Sequence, residues 1–290
     1  MSLESQLLGY CQQQCAPGQK PVIGLNGPVG AGKSTLSRQL QQHFAEQGVR
    51  LAIASIDDAY LPFDQRVERM RGNPFGVNRV PPGSHDPAVL EQAISRWRCS
   101  AGASLELPRF DKTLREGQGD PCPPWHGEAD ALLLEGWLVG CKPLSTDQLN
   151  SALCSAVTAG FSDAETFWLR RCNQALVEYQ GLWAQVGSLV MLWPQSWHLP
   201  RRWRFQAEAR QRRRGGGWMT GSQLEGLVNA SLRSLPPPLF QEPRLLAADL
   251  VRVLDARRCP VFEGSGVEAF DWLRDQASSP SSSATGYTKP

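Results

Sequence analysis

Five short apolar runs punctuate the chain, at 21–25, 51–56, 131–134, 189–192 and 250–254. Each is bounded by turn formers or charges and has the length of a strand buried on both faces. The stretches between them carry the helical period instead. Leu3, Leu7, Leu8 and Cys11 share one face of a segment at 3–15. Leu36, Leu40 and Phe44 share one face at 33–47, which Gly48 ends. Further helices are predicted over 87–98, 144–150, 163–183 and 201–214. A last one at 221–235 stops at three consecutive prolines, Pro236 to Pro238. Residues 59–87 are rich in Pro, Gly and Arg without a clear period. A loop of that length in a folded domain is usually functional. The final stretch, 276–290, is almost all Ser, Pro, Ala, Thr and Gly, and is predicted to be a disordered tail. No internal repeat is present.

Composition narrows this picture. Of 290 residues, 41% are hydrophobic and 20% charged, the balance of a soluble globular chain. The net charge of +2 gives no general attraction to polyanions. No apolar run reaches a membrane span, and the first residues lack the pattern of a signal peptide. The eight Cys include no Cys-x-x-Cys pair, so neither a zinc site nor a disulfide framework is expected. A cytoplasmic location with reduced thiols follows. Only five of the 30 basic residues are Lys, so a Lys inside a motif carries more information than usual.

One such Lys closes the motif Gly27-Pro28-Val29-Gly30-Ala31-Gly32-Lys33-Ser34, which fits G-x-x-x-x-G-K-[ST] between a predicted strand and a predicted helix. Glycines allow backbone N–H groups to converge on phosphate oxygens, and the helix N-terminus adds partial positive charge. Lys33 can reach the β- and γ-phosphates, and the Ser34 hydroxyl can ligate Mg²⁺. Strand, glycine turn, helix and strand make a βαβ unit. The predicted fold is α/β, a three-layer α/β/α arrangement of the P-loop NTPase type. It has a mainly parallel five-stranded sheet and a helical lid at about 200–222. One domain is expected over 1–275, with an insert at about 59–130 that forms the acceptor site.

A phosphate loop specifies a nucleotide, not a reaction. In an open parallel sheet, ligands lie beyond the carboxyl ends of the strands. Asp57 and Asp58 follow the second strand, and Glu135 ends the third. Asp57 suits a general base or orienter for a hydroxyl, and Asp58 could exchange roles with it. Glu135 suits the Mg²⁺ shell, directly or through water. The segment 201–214 holds seven Arg and one Glu. It reads as a lid over a nucleoside triphosphate, hinged at Gly215–Gly217, in preference to a solvated helix face or a nucleic-acid patch. Arg79, His85, Asp86, Arg109 and Lys112 gather around the middle insert, as an anionic acceptor such as a carboxylate would require.

These residues sit in motifs that resemble those of the plant- and fungal-type D-glycerate 3-kinases, relatives of uridine kinase, phosphoribulokinase and pantothenate kinase. The motifs are GPVGAGKST at 27–35, SIDDAYLP at 55–62, GSHDP at 83–87, PRFDK at 108–112 and LLLEGW at 132–137. EYQGLW at 178–183, WRFQAE at 203–208 and LDARRCP at 254–260 follow. The resemblance covers most of 20–262. It implies ATP- and Mg²⁺-dependent phosphorylation of D-glycerate to 3-phosphoglycerate, with no nucleic-acid or membrane partner. By that resemblance Gly27, Gly30, Ala31, Gly32, Lys33, Ser34 and Thr35 cradle the nucleotide. Asp57 takes the acceptor proton, and Ser34 and Glu135 hold the metal. Arg204 and Arg212 are lid arginines, and Arg257 and Pro260 border the base. Asp58, Tyr60, Arg79, His85, Asp86, Arg109 and Lys112 are then the acceptor contacts. The sequence departs from the family at Ala59, at Val80-Pro81-Pro82 and in the Pro-rich segment after Lys112. Those departures lie in the expected acceptor pocket and leave another hydroxyl acceptor, such as uridine or pantothenate, as an alternative; a nucleic-acid-binding ATPase is the further alternative from a different class.

Overall fold

A computed structural model describes residues 2–14, 19–100, 102–213 and 219–278. Among them eight strands form: β1 (Val22–Asn26), β2 (Leu51–Ser55), β3 (Ser104–Asp111), β4 (Asp120–Glu128), β5 (Ala131–Gly136), β6 (Ser188–Pro194), β7 (Leu250–Leu254) and β8 (Pro260–Gly264). The main sheet runs β2-β5-β1-β6-β7-β8. Its first five strands are parallel and coincide with the five apolar runs. The sheet has six strands, not the expected five, because β8 pairs antiparallel with β7 at the edge. Pro260-Val261-Phe262-Glu263-Gly264 is half exposed and has no apolar run, so hydrophobic pattern does not report it.

Helices cover both faces of the sheet, and the strand residues alternate between them. Ala52, Ala54, Leu132 and Leu134 pack with Leu90, Ile94 and Trp97 of the helix Pro87–Cys99 and with Trp168 and Leu169 of the helix Asp163–Ala175. Ile23, Leu25, Leu133, Val190 and Leu192 face the helices Leu3–Gln14 and Lys33–Glu46 through Leu3, Leu7, Leu36, Leu40 and Phe44. Each fully buried Leu contributes about 2 kcal/mol. Packing on the sheet therefore outweighs the modest intrinsic propensity of these short helices.

The middle insert is more ordered than its sequence predicts. A 3₁₀ turn spans Ile56–Ala59 and a helix spans Phe63–Arg69. β3 and β4 form a separate two-stranded hairpin whose tip holds residues 112–119. Pro121, Pro123 and Pro124 are tolerated in β4 because it pairs on one side only. Arg66 ties this tip to the insert. It is wholly buried, and its guanidinium donates to the carbonyls of Leu61 (2.6 Å), Gln118 (2.7 Å) and Gly119 (2.9 Å). Arg66→Met leaves those carbonyls unsatisfied. The expected cost is about 3 kcal/mol, read as a lowered melting temperature; an unchanged melting temperature would contradict it.

The helix predicted over 201–214 spans Leu199–Arg213. The helix Gly266–Ser278 takes in the first residues of the expected tail. The remainder of that tail and the Gly215–Gly217 hinge lie outside the described residues. Among the described residues, no helix is long and apolar enough to cross a membrane.

Candidate active site

The sheet register brings three strand ends to one edge. Leu25 of β1 lies beside Glu135 of β5, and Glu135 beside Ser55 of β2. The glycine loop, the turn after β2 and the end of β5 therefore open on one cavity of about 1040 Å³. The basic helix Leu199–Arg213 and the β3–β4 tip form its other walls.

The loop after β1 has the backbone form of a phosphate cradle. Gly30 and Gly32 take φ values of 79° and 97°, a region that side chains disfavour. Lys33 Nζ folds back onto the carbonyls of Gly27 (2.8 Å) and Pro28 (3.3 Å). Burial pulls its pKa down, with Glu135 and Asp57 opposing. Gly30, Gly32, Lys33, Ser34 and Thr35 line the cavity, while Gly27 and Ala31 are buried behind it. Ser34 Oγ lies 3.4 Å from Glu135 Oε1. Burial pushes the Glu135 carboxyl up, opposed by Lys33. This oxygen pair suits Mg²⁺, which usually takes one or two protein oxygens and completes its shell with phosphates and water. Among the described residues there is no cluster of three or more His, Cys, Asp or Glu to hold a metal without them.

The two aspartates after β2 separate cleanly. Asp58 accepts from the Ser55 backbone N–H (3.1 Å) and from Arg109 Nη1 (2.8 Å), while Ser55 caps the same turn. Asp58 is thus occupied in holding the turn, although it touches the cavity. Asp57 Oδ2 meets Lys112 Nζ at 2.7 Å, and Oδ1 lies 3.8 Å from His85 Nε2. Burial alone would raise the Asp57 carboxyl, but Lys112 and His85 hold it well below the usual range. Asp57 raises the Lys112 pKa in return.

Tyr60, Arg79 and Lys112 also line the cavity. Arg79 Nη2 donates to the Gly117 carbonyl (3.1 Å), while its buried Nη1 has no hydrogen-bond partner. Other expected acceptor contacts are spent elsewhere. Arg109 is held by Asp58 and the Ile53 carbonyl (3.2 Å) and does not line the cavity. Asp86 caps the helix Pro87–Cys99 by accepting from Ala88 N–H. His85 is wholly buried behind Asp57.

Along the basic helix, Arg204 lines the cavity and pairs with the buried Glu208 at 3.0 Å. Arg210 also reaches the wall, whereas Arg212 is exposed and does not. Arg201 is paired with Glu225 on the outside. Arg257 is exposed too and does not line the cavity; its neighbour Arg258, which sequence reasoning passed over, does. Arg258 Nε donates to the Gly30 carbonyl (2.8 Å), and Nη2 to the Trp203 carbonyl (3.0 Å) and Gln206 Oε1 (3.2 Å). One guanidinium thereby joins the phosphate loop, the basic helix and the β7–β8 turn.

A parallel sheet flanked by helices, a glycine loop closed by Lys33-Ser34 and carboxylates at the next two strand ends together define a P-loop kinase. Comparison with known proteins agrees. The family model described as "Methylmalonyl Co-A mutase-associated GTPase MeaB" matches residues 3–61, which hold the phosphate loop and its βαβ unit. More extensive similarity points to one group of kinases. The protein named "D-glycerate 3-kinase, chloroplastic" of Arabidopsis thaliana is 28% identical over 262 residues, 83% of this chain. The chain spans 54% of that plant protein's length. "Uncharacterized kinase mug58" of Schizosaccharomyces pombe is 27% identical over 238 residues, covering 77% of this chain and 83% of that one. The solved D-glycerate 3-kinase from Cryptococcus neoformans var. grubii superposes with a TM-score of 0.75 at 27% identity, covering 91% of this chain and 99% of that chain. The likeness to the D-glycerate 3-kinases thus extends over most of the sequence and the fold.

Proposed function

We propose that the protein transfers the γ-phosphate of ATP to the 3-hydroxyl of D-glycerate. The observation that carries this reading is that two cations line the cavity that holds the proposed base. Arg79, with a buried and unpartnered Nη1, and Lys112 line the same cavity as Asp57 and the phosphate loop, and Lys112 pairs with Asp57. A small acceptor needs one hydroxyl near Asp57 and one anionic group for the two cations, and glycerate has both. The glycerate kinases among the relatives support the same acceptor.

Bound ATP supplies the phosphoryl group, and Mg²⁺ neutralises charge between its phosphates. The loop amides and Lys33 would hold the β- and γ-phosphates, with Ser34 and Glu135 holding the metal. Asp57 would orient the hydroxyl and accept its proton as the bond to phosphorus forms. Arg204 would offset charge developing on the transferred group. Arg79 and Lys112 would hold the carboxylate and fix the acceptor's orientation.

The test measures ADP release with Mg·ATP and D-glycerate, L-glycerate, uridine or pantothenate, with the product identified by NMR. Turnover on D-glycerate, with phosphate on the 3-oxygen, is expected. Turnover on uridine or pantothenate alone would overturn the reading. Arg79→Met should raise the KM for D-glycerate roughly 10- to 100-fold, the value of a lost hydrogen bond between charged groups, and leave the KM for ATP alone. Equal changes in both KM values would remove Arg79 from the acceptor site.

A further inference from the structure

A buried imidazole stands behind Asp57 and takes no part in the cavity wall. His85 Nε2 is 3.8 Å from Asp57 Oδ1, and Nδ1 is 2.8 Å from the Tyr179 hydroxyl. Tyr60 stacks on the ring at 4.3 Å between centroids, and Tyr179 meets it edge-on at 5.9 Å. Backbone hydrogen bonds from Leu61 N–H to the Ser84 carbonyl (3.0 Å) and from Asp86 N–H to the Ala59 carbonyl (2.7 Å) clamp the two segments together. The ring cannot reorient without breaking this packing.

The hydrogen-bond inventory selects one tautomer. The Tyr179 oxygen accepts from Gly83 N–H at 3.1 Å. A phenol has a single proton to donate. If Nδ1 carried the imidazole proton, it would donate to Tyr179, and the phenol's own proton would be stranded in a dry site. Ser84 Oγ offers Nδ1 no proton, since it donates to the Pro81 carbonyl at 2.6 Å and lies 3.4 Å from the ring. With the proton on Nε2, Tyr179 O–H donates to Nδ1 and the phenol proton is satisfied, while Nε2 is left without a hydrogen-bond partner. Nε2–H then faces the Asp57 carboxylate. The separation is long for a hydrogen bond, and catalytic hydrogen bonds commonly tighten when substrates bind. Burial disfavours a charged ring, with Asp57 opposing and Lys112 and Arg66 adding to it; Tyr60 and Tyr179 are the other titratable groups against the ring.

We propose that His85 is a positioning residue for Asp57. Tyr179 fixes it as an Nε2–H donor, so that His85 and Lys112 grip opposite oxygens of the carboxylate and aim it at the acceptor hydroxyl. His85 keeps its proton throughout; Asp57 receives the one from the substrate. The other tautomer would present a lone pair to the carboxylate and push it away. This role rests on the reading of Asp57 as the base.

The tautomer is directly measurable by ¹⁵N NMR of labelled protein. The chain has four His, and the His85 signals are assigned by their loss in His85→Gln. The expected result is a neutral ring protonated on Nε2, passing to a mixture of tautomers in Tyr179→Phe. In kinetics, Tyr179→Phe should lower kcat roughly 10- to 100-fold with the KM for ATP unchanged. A Gln amide at 85 can donate to Asp57 without Tyr179. His85→Gln should therefore retain more activity than His85→Leu, and adding Tyr179→Phe to it should cost nothing further. An Nδ1-protonated or charged ring at neutral pH overturns the proposal. So does an equal loss from Tyr179→Phe in both backgrounds, because a purely structural role predicts that result. Turnover surviving in Asp57→Asn, with His85 in the expected tautomer, would sink the base assignment and not the tautomer.

Discussion

Asp57→Asn is expected to lower kcat by about 10³-fold while ATP affinity stays intact, the range for removal of a general base. Asn fills the same space and can still accept from Lys112, so the cavity and the turn should survive. Only the capacity to take a proton is lost. The split between kcat and nucleotide binding is therefore the diagnostic, read by steady-state kinetics alongside calorimetric titration with a non-hydrolysable ATP analogue. Unchanged turnover would remove Asp57 from the reaction. The pH profile gives the same residue a second test. Burial pushes its carboxyl up, but Lys112 and His85 outweigh that and hold it well below the usual range. A carboxylate ordinarily titrates near pH ~4, so Asp57 should stay ionised below that value. The acid limb of kcat/KM assigned to Asp57 should accordingly lie below the ordinary carboxylate pKa. Removing the positive neighbour in Lys112→Met should move that limb to higher pH, because the charged form loses its partner. The linked stability has the same sign: it is present above the unfolded-state pKa and lost as pH falls through the folded one.

The parts of this site legible in the sequence share a property. Lys33, Ser34, Asp57 and Glu135 each lie at or just after the end of an apolar run, and parallel topology carries such ends to one edge. Local pattern therefore implies long-range placement. The parts that escaped depend on packing instead. Arg257 and Arg258 are adjacent and chemically identical. The choice between them is made by a turn in which Arg258 has φ of 68° and swings toward Gly30. Tyr179 lies 94 residues from the histidine it orients, and no spacing rule links them. β4 was unreadable because its prolines and half-exposed alternation look like a loop. Asp86 has a signal in the sequence for the part it does play, since an Asp followed by Pro is an ordinary helix start, and there it caps. Arg109 is paired with Asp58, a contact visible only once β3 lies against the turn.

Gly30→Ala should disable nucleotide binding and destabilise the fold together, because two separate constraints meet at that residue. The first is conformational. A φ of 79° costs a non-glycine residue roughly 1 kcal/mol or more. The second is steric. A Cβ there would stand 2.8 Å from the Arg204 backbone nitrogen and 2.9 Å from the Trp203 carbonyl carbon and Cβ. Neither can yield easily. Trp203 is wholly buried, with its indole N–H donating to the Ala256 carbonyl at 3.1 Å, and Arg258 binds the Gly30 and Trp203 carbonyls at once. The methyl must therefore part the phosphate loop from the basic helix, displacing Arg204 and spreading the amides of the cradle. A loss of roughly 100-fold in ATP affinity is expected, equal to about 3 kcal/mol, with a lowered melting temperature. Gly48→Ala is the control. It also has positive φ, 75°, but meets nothing within 4 Å and sits at the exposed end of the helix Lys33–Glu46. It should lose stability and keep its kinetics. Equal behaviour of the two variants would mean that backbone strain alone matters at Gly30. A difference confined to ATP binding and turnover would place the contact between phosphate loop and basic helix at the centre of nucleotide recognition.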